Sequence, residues 1–255
     1  MINIEHAKAE FVKYTDSFNS NNPLINLKVK HTLRVVEVAE KIAADLNLSE
    51  EDKQLASLIG LLHDIGRFEQ ATKYGTFQDK LSINHAELGI NILFEDNLIR
   101  RFIETSVYDD LIKTAIFNHN RHHIDPKLAD QALLHTKIIR DADKVDILSI
   151  LSRNESGAVD FNTQCLLSDA ILDDIMNEIN TSVRHIITNV DHQIYSLSYI
   201  YDISFPITLK MIKDNKYFDK IVESTKCGNP VTDQKLDYIL AEVNRDIDRI
   251  IKEAK

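Results

Sequence analysis

The sequence predicts an all-α fold, and three observations carry that expectation. Its 255 residues include only 6 Gly and 4 Pro, too few breakers for a many-turned β protein. Leu, Glu and Lys, all good helix formers, are plentiful. Apolar residues recur every third or fourth position, and no segment reads convincingly as a strand.

Taken in order, the N-terminal stretch MINIEHAKAEFVKY is amphipathic and mixed in charge. Asn22 and Pro23 form a helix start, as cap and first-turn proline. Val29, Leu33, Val36, Ala39, Ala43 and Leu46 then keep helical spacing to about Asn47. Ser49 opens a second helix with Asp52 as a box-like partner, and Gly66 is placed to end it after Leu55, Leu58, Ile59 and Leu62. Residues 67–81 are polar, contain Gly75 and read as a loop. Helices are expected over Ser82–Phe94, over Asp109–Asn118 before the His-rich loop NHNRHHIDP, and over 127–135 and 136–153. Residues 154–164 read as a loop. Four or five further helices follow, broken near Pro206 and Gly228-Asn229-Pro230, the last one charged and amphipathic from about Thr232.

Composition narrows the function. With 44% hydrophobic and 27% charged residues the chain has the balance of a globular protein. A formal net charge of −10 argues against a surface that wraps duplex nucleic acid. It leaves room for a small anionic substrate, because a bound metal and a few basic side chains reverse the sign inside one cleft. Cys165 and Cys227 are far apart in sequence and are expected as free thiols of a reducing compartment. The N-terminus lacks the features of a secretion signal, and no run of 18 apolar residues occurs. The expected location is cytoplasmic, with no membrane partner.

The informative residues are polar ones in apolar stripes. His31 shares a helical face with Val35, Val38 and Ile42, and His63 follows Ile59 and Gly60. His85 keeps register with Leu88, Gly89 and Ile92, and His119 ends the stripe Leu111, Ile112, Ala115, Ile116. Asp143 sits among Ile139, Ile147 and Ile150. A single buried histidine is ordinary, but a buried unpaired carboxylate costs several kcal/mol. Few obvious cations lie on these faces, so metal ions are the economical partners for the whole set. Neighbours on a helix point about 100° apart, so His63 and Asp64 converge on one point only near a helix end. The C-terminal pole of a helix also favours a cation there.

The ordered set His31, then His63-Asp64 in LLHDIGR, then Asp143 in IIRDADKVDIL resembles the HD superfamily of metal-dependent phosphohydrolases over roughly residues 25–150. The resemblance implies one helical domain over 1–255, with a metal-binding core at about 25–150 and a helical extension at about 155–255. It implies that His31, His63, Asp64 and Asp143 ligate one divalent ion. His85 in HAELG and His119 in FNHN match the binuclear branch, and would hold a second ion bridged by Asp64. Fe, Mn, Co, Ni and Zn all suit such ligands. His119 is followed by Asn120, and no Gly-Tyr-Pro occurs, which sets the chain apart from the branch that cleaves cyclic dinucleotides.

The implied activity is cleavage of a phosphomonoester or phosphoanhydride of a small substrate, with a nucleotide preferred, by metal-activated water. Asp64, Arg67 and Lys144 are the candidate catalytic residues; Arg34, Lys73 (placed in the loop), Arg121 and His122 are candidate substrate contacts. Tyr74, Phe77 and Gln78 could form a lid or a base-stacking wall. No G-x-S-x-G elbow or Cys-His pair supports covalent catalysis. A di-iron oxygenase with the same ligand order, similar to myo-inositol oxygenase, and a non-catalytic nucleotide-sensing module are the rival readings. The C-terminal helices carry no motif. They are expected to pack over the core and shape the substrate pocket or a homodimer contact, with the aromatic run YSLSYIYDISF in their core.

Overall fold

The computed structural model describes residues 2–154 and 165–254. Among these residues helices dominate and no strand forms, so the all-α expectation holds. The expected loop at 154–164 lies almost entirely outside the described residues. No helix among those described is long and apolar enough to cross a membrane. The chain divides into two compact units, Met1–Asp143 and Lys144–Lys255.

The first unit opens with α1 (Ile4–Thr15), α2 (Pro23–Asp45) and α3 (Glu50–Leu62). Asn22 caps α2 and Ser49 caps α3, each side chain accepting a backbone N–H of the first turn. Val35, Val36, Ala39, Ile42 and Ala43 of α2 are buried, as are Leu55, Leu58, Ile59 and Leu62 of α3, and the two helices pack together. Phe11 and Tyr14 of α1 meet Phe68 edge-on at ring separations of 5.8 and 5.9 Å.

Residues 67–81 are not simply a loop. A fourth helix, α4 (Ile65–Tyr74), runs through their first half. Ile65, Phe68 and Ala71 give it a buried stripe, and Gly75 ends it in the left-handed region at φ 64°. Gly66 therefore does not terminate α3; it lies in the first turn of α4. A Cβ there would stand 2.3 Å from the His85 carbonyl oxygen and 2.7 Å from the Gly89 nitrogen. Only glycine permits α4 to approach α5 (His85–Ile90) so closely. A π-helical turn, Asn91–Glu95, continues α5, so the expected Ser82–Phe94 helix is shorter and less regular than its periodicity suggested.

Helix α6 (Asp109–His119) follows, then α7 (Asp130–Leu151). The two helices expected at 127–135 and 136–153 are this single one, because nothing between Leu134 and Lys137 breaks a helix.

The second unit contains α8 (Asp169–Met176), α9 (Asn189–Ile194), α10 (Pro206–Asp214), α11 (Tyr217–Thr225) and α12 (Pro230–Glu253). Leu236, Ile239, Val243 and Ile247 give α12 one fully buried stripe. Tyr195–Asp202 form a 3₁₀ helix that buries Leu197 and Ile200, whereas Tyr195 and Tyr199 are only half-buried. Cys165 and Cys227 are not free. The fold brings their Cα atoms to 6.2 Å and pairs them as a disulfide, a contact that sequence separation alone does not reveal. Around it, Thr232 Oγ1 and Asn229 Nδ2 donate to the Cys165 carbonyl at 2.9 and 3.2 Å.

Candidate metal centre

Helix ends converge in the first unit. His63 caps the C-terminus of α3, and Asp64, at φ −107° and ψ 18°, breaks the chain before α4 starts. That break lets two adjacent side chains face one point. His119 ends α6 and His85 begins α5, while His31 and Asp143 project from within α2 and α7. His31, His63, Asp64, His85 and His119 are each 6% exposed or less. The side chain of Asp143 is 18% exposed.

Asp64 sits between two groups of imidazoles. Its Oδ2 lies 3.4 Å from His31 Nε2 and 3.6 Å from His63 Nε2. Its Oδ1 lies 3.3 Å from His85 Nε2 and 3.8 Å from His119 Nε2. Asp143 Oδ1 closes the first group, 3.2 Å from His31 and 3.8 Å from His63. Three overlapping sets of potential ligand atoms result: His31-His63-Asp64, His63-His119-Asp143 and Asp64-His85-His119.

The tautomers follow from the outer partners. His63 Nδ1 contacts the Gly60 carbonyl at 2.8 Å and His119 Nδ1 the Ile116 carbonyl at 2.6 Å. A carbonyl only accepts, so each Nδ1 carries the proton and donates it. Both carbonyls belong to the last turn of a helix, where they lack intrahelical donors. His85 Nδ1 donates to Asp79 Oδ2 at 2.8 Å. Burial pushes Asp79 up, but its bonds and charge contacts with His85 and Arg67 bring it down to about 2, so it is an ionised acceptor. The Nε2 atoms of these three rings are therefore lone pairs when the rings are neutral.

Two consequences favour a cation. His63 Nε2 is buried with no hydrogen-bond partner among the described residues. His85 Nε2 and His119 Nε2 stand 3.0 Å apart, lone pair against lone pair. Neutral imidazoles that donate their far N–H to a carbonyl or carboxylate are the usual metal ligands. Burial brings His85 and His119 down to about 4, and lowers His63 as well. Burial pushes the Asp64 carboxyl up, yet Lys28 first, and then the imidazoles, hold it well below the usual carboxylate range. Asp143 is held low in the same way, chiefly by His31. The donor set and its protonation fit divalent ions.

The remaining candidates are placed as follows. Arg67 Nε lies 3.6 Å from Asp64 Oδ1, while its Nη1 donates to the Phe77 carbonyl, Gln70 and Asp79 at 2.6, 2.8 and 2.9 Å. Lys144 is buried and donates to Asp202 at 2.5 Å. Arg34 is half-buried on α2, one turn after His31. Lys73 belongs to the last turn of α4, not to a loop, and pairs with Glu69. Arg121 pairs with Glu87 at 3.1 Å and lies over the Phe117 ring. His122 is exposed, its ring 4.4 Å from that of His123. The structure thus gathers the six candidate ligands, and of the basic candidates it puts Arg67 against Asp64.

Sequence reasoning missed Lys28 and Asp79. Lys28 Nζ donates to Asp64 Oδ2 at 2.6 Å, so the faces did hold a cation. Lys28 lies three positions before His31 on α2, a signal that was available; Asp79 had none, because it sits in a polar stretch of no clear period.

These helices bury imidazole and carboxylate donors around a common centre that could hold a metal ion. Residues 29–148 match the HD domain, a match that supports membership of the HD-domain superfamily, a family generally of metal-dependent hydrolases. No curated protein and no solved structure matches the chain significantly.

Proposed function

We propose that the protein is a metal-dependent phosphohydrolase that cleaves a phosphomonoester or phosphoanhydride of a small substrate, with a nucleotide the preferred class. One observation carries the reading: the two oxygens of Asp64 face separate imidazole pairs, at 3.4 and 3.6 Å on one side and 3.3 and 3.8 Å on the other. That geometry suits a carboxylate shared by two ions. His31, His63, Asp64 and Asp143 would hold one, and Asp64, His85 and His119 the other. Fe, Mn, Co, Ni or Zn bound there would supply an ionisable water near neutral pH and offset charge on phosphoryl oxygens.

The chain's own residues set the conditions. Gly60, Ile116 and Asp79 fix the ring orientations, and burial keeps the rings neutral at neutral pH. Arg67 steadies Asp64 and Asp79 together. Arg67 and Lys144 are the cations proposed to oppose phosphoryl charge, with Arg34 and His122 as proposed outer contacts. Lys73 and Arg121 reach a phosphate only by exchanging Glu69 and Glu87. Phe77 offers a ring face for a base, its centroid 5.5 Å from Arg67 Cζ.

The test joins metal analysis to a phosphate-release panel of nucleotides and sugar phosphates, with Asp64→Ala alongside. Metal-dependent release by the wild type, with loss of both release and bound metal in the variant, supports the proposal. Full metal and full activity in the variant overturn the assignment of Asp64. Substrate-dependent oxygen uptake by the reduced iron protein, without phosphate release, replaces hydrolysis by oxygenation.

A further inference from the structure

Lys28 is a half-buried cation with an unusual partner. Its side chain is 15% exposed, and its Nζ lies 2.6 Å from Asp64 Oδ2, the oxygen that also faces His31 and His63. The ring of Phe77 lies beside both basic groups, 5.4 Å from Lys28 Nζ and 5.5 Å from Arg67 Cζ. The two cations are held differently. Arg67 is tied by Nη1 to three acceptors, the Phe77 carbonyl, Gln70 and Asp79. Asp64 is the only hydrogen-bond acceptor of Lys28 among the described residues.

Charge balance gives this arrangement a direction. Without metal, one ammonium offsets one buried carboxylate. A divalent ion on Asp64 takes over that neutralisation and adds positive charge close to Lys28. Attraction then becomes repulsion, and a partly buried ammonium beside metal requires a new anion. A lysine suits such a change, because its point charge rides on a flexible stem.

We propose that Lys28 is a displaceable counter-ion of Asp64 and, once metal is bound, the cation that receives an oxyanion of the substrate, with Phe77 closing its outer side. The inference rests on the phosphohydrolase reading for the identity of the anion, but its metal arm does not. Two effects follow. Lys28 competes with metal for Asp64, so its removal tightens metal binding. Lys28 also binds a phosphate oxygen, so its removal weakens anion binding by the loaded protein.

The experiment uses full-length wild type, Lys28→Met, Lys28→Gln and Lys28→Arg. Mn²⁺ affinity of the metal-free proteins and inorganic phosphate affinity of the Mn²⁺-loaded proteins are measured by calorimetry, with circular dichroism confirming the fold. In Lys28→Met, Mn²⁺ should bind several-fold more tightly and phosphate about tenfold more weakly, the loss of one charge-assisted contact. Lys28→Arg should return both values toward wild type. If Lys28→Met does not fold, Lys28→Gln carries the same expectations; if neither folds without metal, Lys28 is a structural partner of Asp64 and the proposal fails. Weaker Mn²⁺ binding in the folded variants overturns the counter-ion role. Unchanged phosphate affinity overturns the anion role and leaves the phosphohydrolase reading intact. Failure of the loaded wild type to bind phosphate overturns both.

Discussion

Gly66 and Gly89 meet backbone to backbone: a Cβ on Gly89 would stand 3.3 Å from the Gly66 nitrogen, and one on Gly66 would stand 2.7 Å from the Gly89 nitrogen. This crossing sets His85, the first residue of α5, at 3.3 Å from Asp64, which precedes α4. Gly66→Ala should therefore act on stability and on the second half of the cluster together. Overpacking against backbone that cannot yield should cost about 3 kcal/mol. Urea denaturation checks the first effect; where the loaded wild type holds the two proposed ions, the variant's stoichiometry should fall toward one. A fully stable variant with unchanged metal content would disprove the role of the crossing.

Asp79 should matter to one ion and not the other. It holds His85 Nδ1 and is itself held by Arg67 and Gln70 Nε2. Asp79→Asn removes the charge that orients the ring. Metal affinity at the His85-His119 half should drop by roughly 10- to 100-fold, the usual effect of losing an outer partner of a ligand. The half built on His31, His63 and Asp143 should keep its affinity. Two-site metal titration separates them, and an equal loss at both would mean general loosening of the fold.

Acid should weaken the metal-free protein over a defined range. His85 and His119 lie at about 4 in the folded chain, below the 6.5 of an unperturbed imidazole. Between those values the unfolded chain binds more protons than the folded one, so stability falls as pH drops from 6.5 to 4. Each ring contributes roughly 3 kcal/mol to that loss. Asp79, brought down to about 2, adds its own loss only below 3.8. Urea midpoints of the metal-free protein from pH 7 to 4 test the slope, and a flat profile would show rings that are not buried as neutral groups.

The Cys165–Cys227 pair encloses a sequence separation of 62 residues in the second unit. Chain-entropy arguments give a crosslink of that span about 4 kcal/mol of stabilisation. Unreduced protein should resist alkylation at both positions, and reduction should lower its denaturation midpoint. Rapid alkylation of freshly isolated protein would restore the expectation of free thiols.

Most of the cluster was legible in the sequence because its histidines and Asp143 interrupt apolar stripes, a conflict visible without coordinates, whereas Asp64 stood out by its place beside His63. His31 among valines and Asp143 among isoleucines are of this kind. Lys28 shares the face of His31, yet a lysine near a helix start resembles a solvated residue, and only tertiary packing shows it half-buried against Asp64. Gly66 was misjudged for a different reason. Glycine ends helices often enough to suggest a stop, and the sequence does not reveal that another backbone lies against it. Polar Arg67, Gln70 and Lys73 hid α4, whose buried stripe needs only Ile65, Phe68 and Ala71. The cysteine pairing depends on how α12 is placed within its own unit, which no local pattern encodes.

The contact between Lys28 and Asp64 bears on whether folding must wait for a metal ion. A carboxylate buried without compensation would leave the new chain dependent on metal from the moment of synthesis. Because an ammonium from the same chain already stands in, folding need not await an ion, and loading of the centre, where it occurs, can follow as a separate stage.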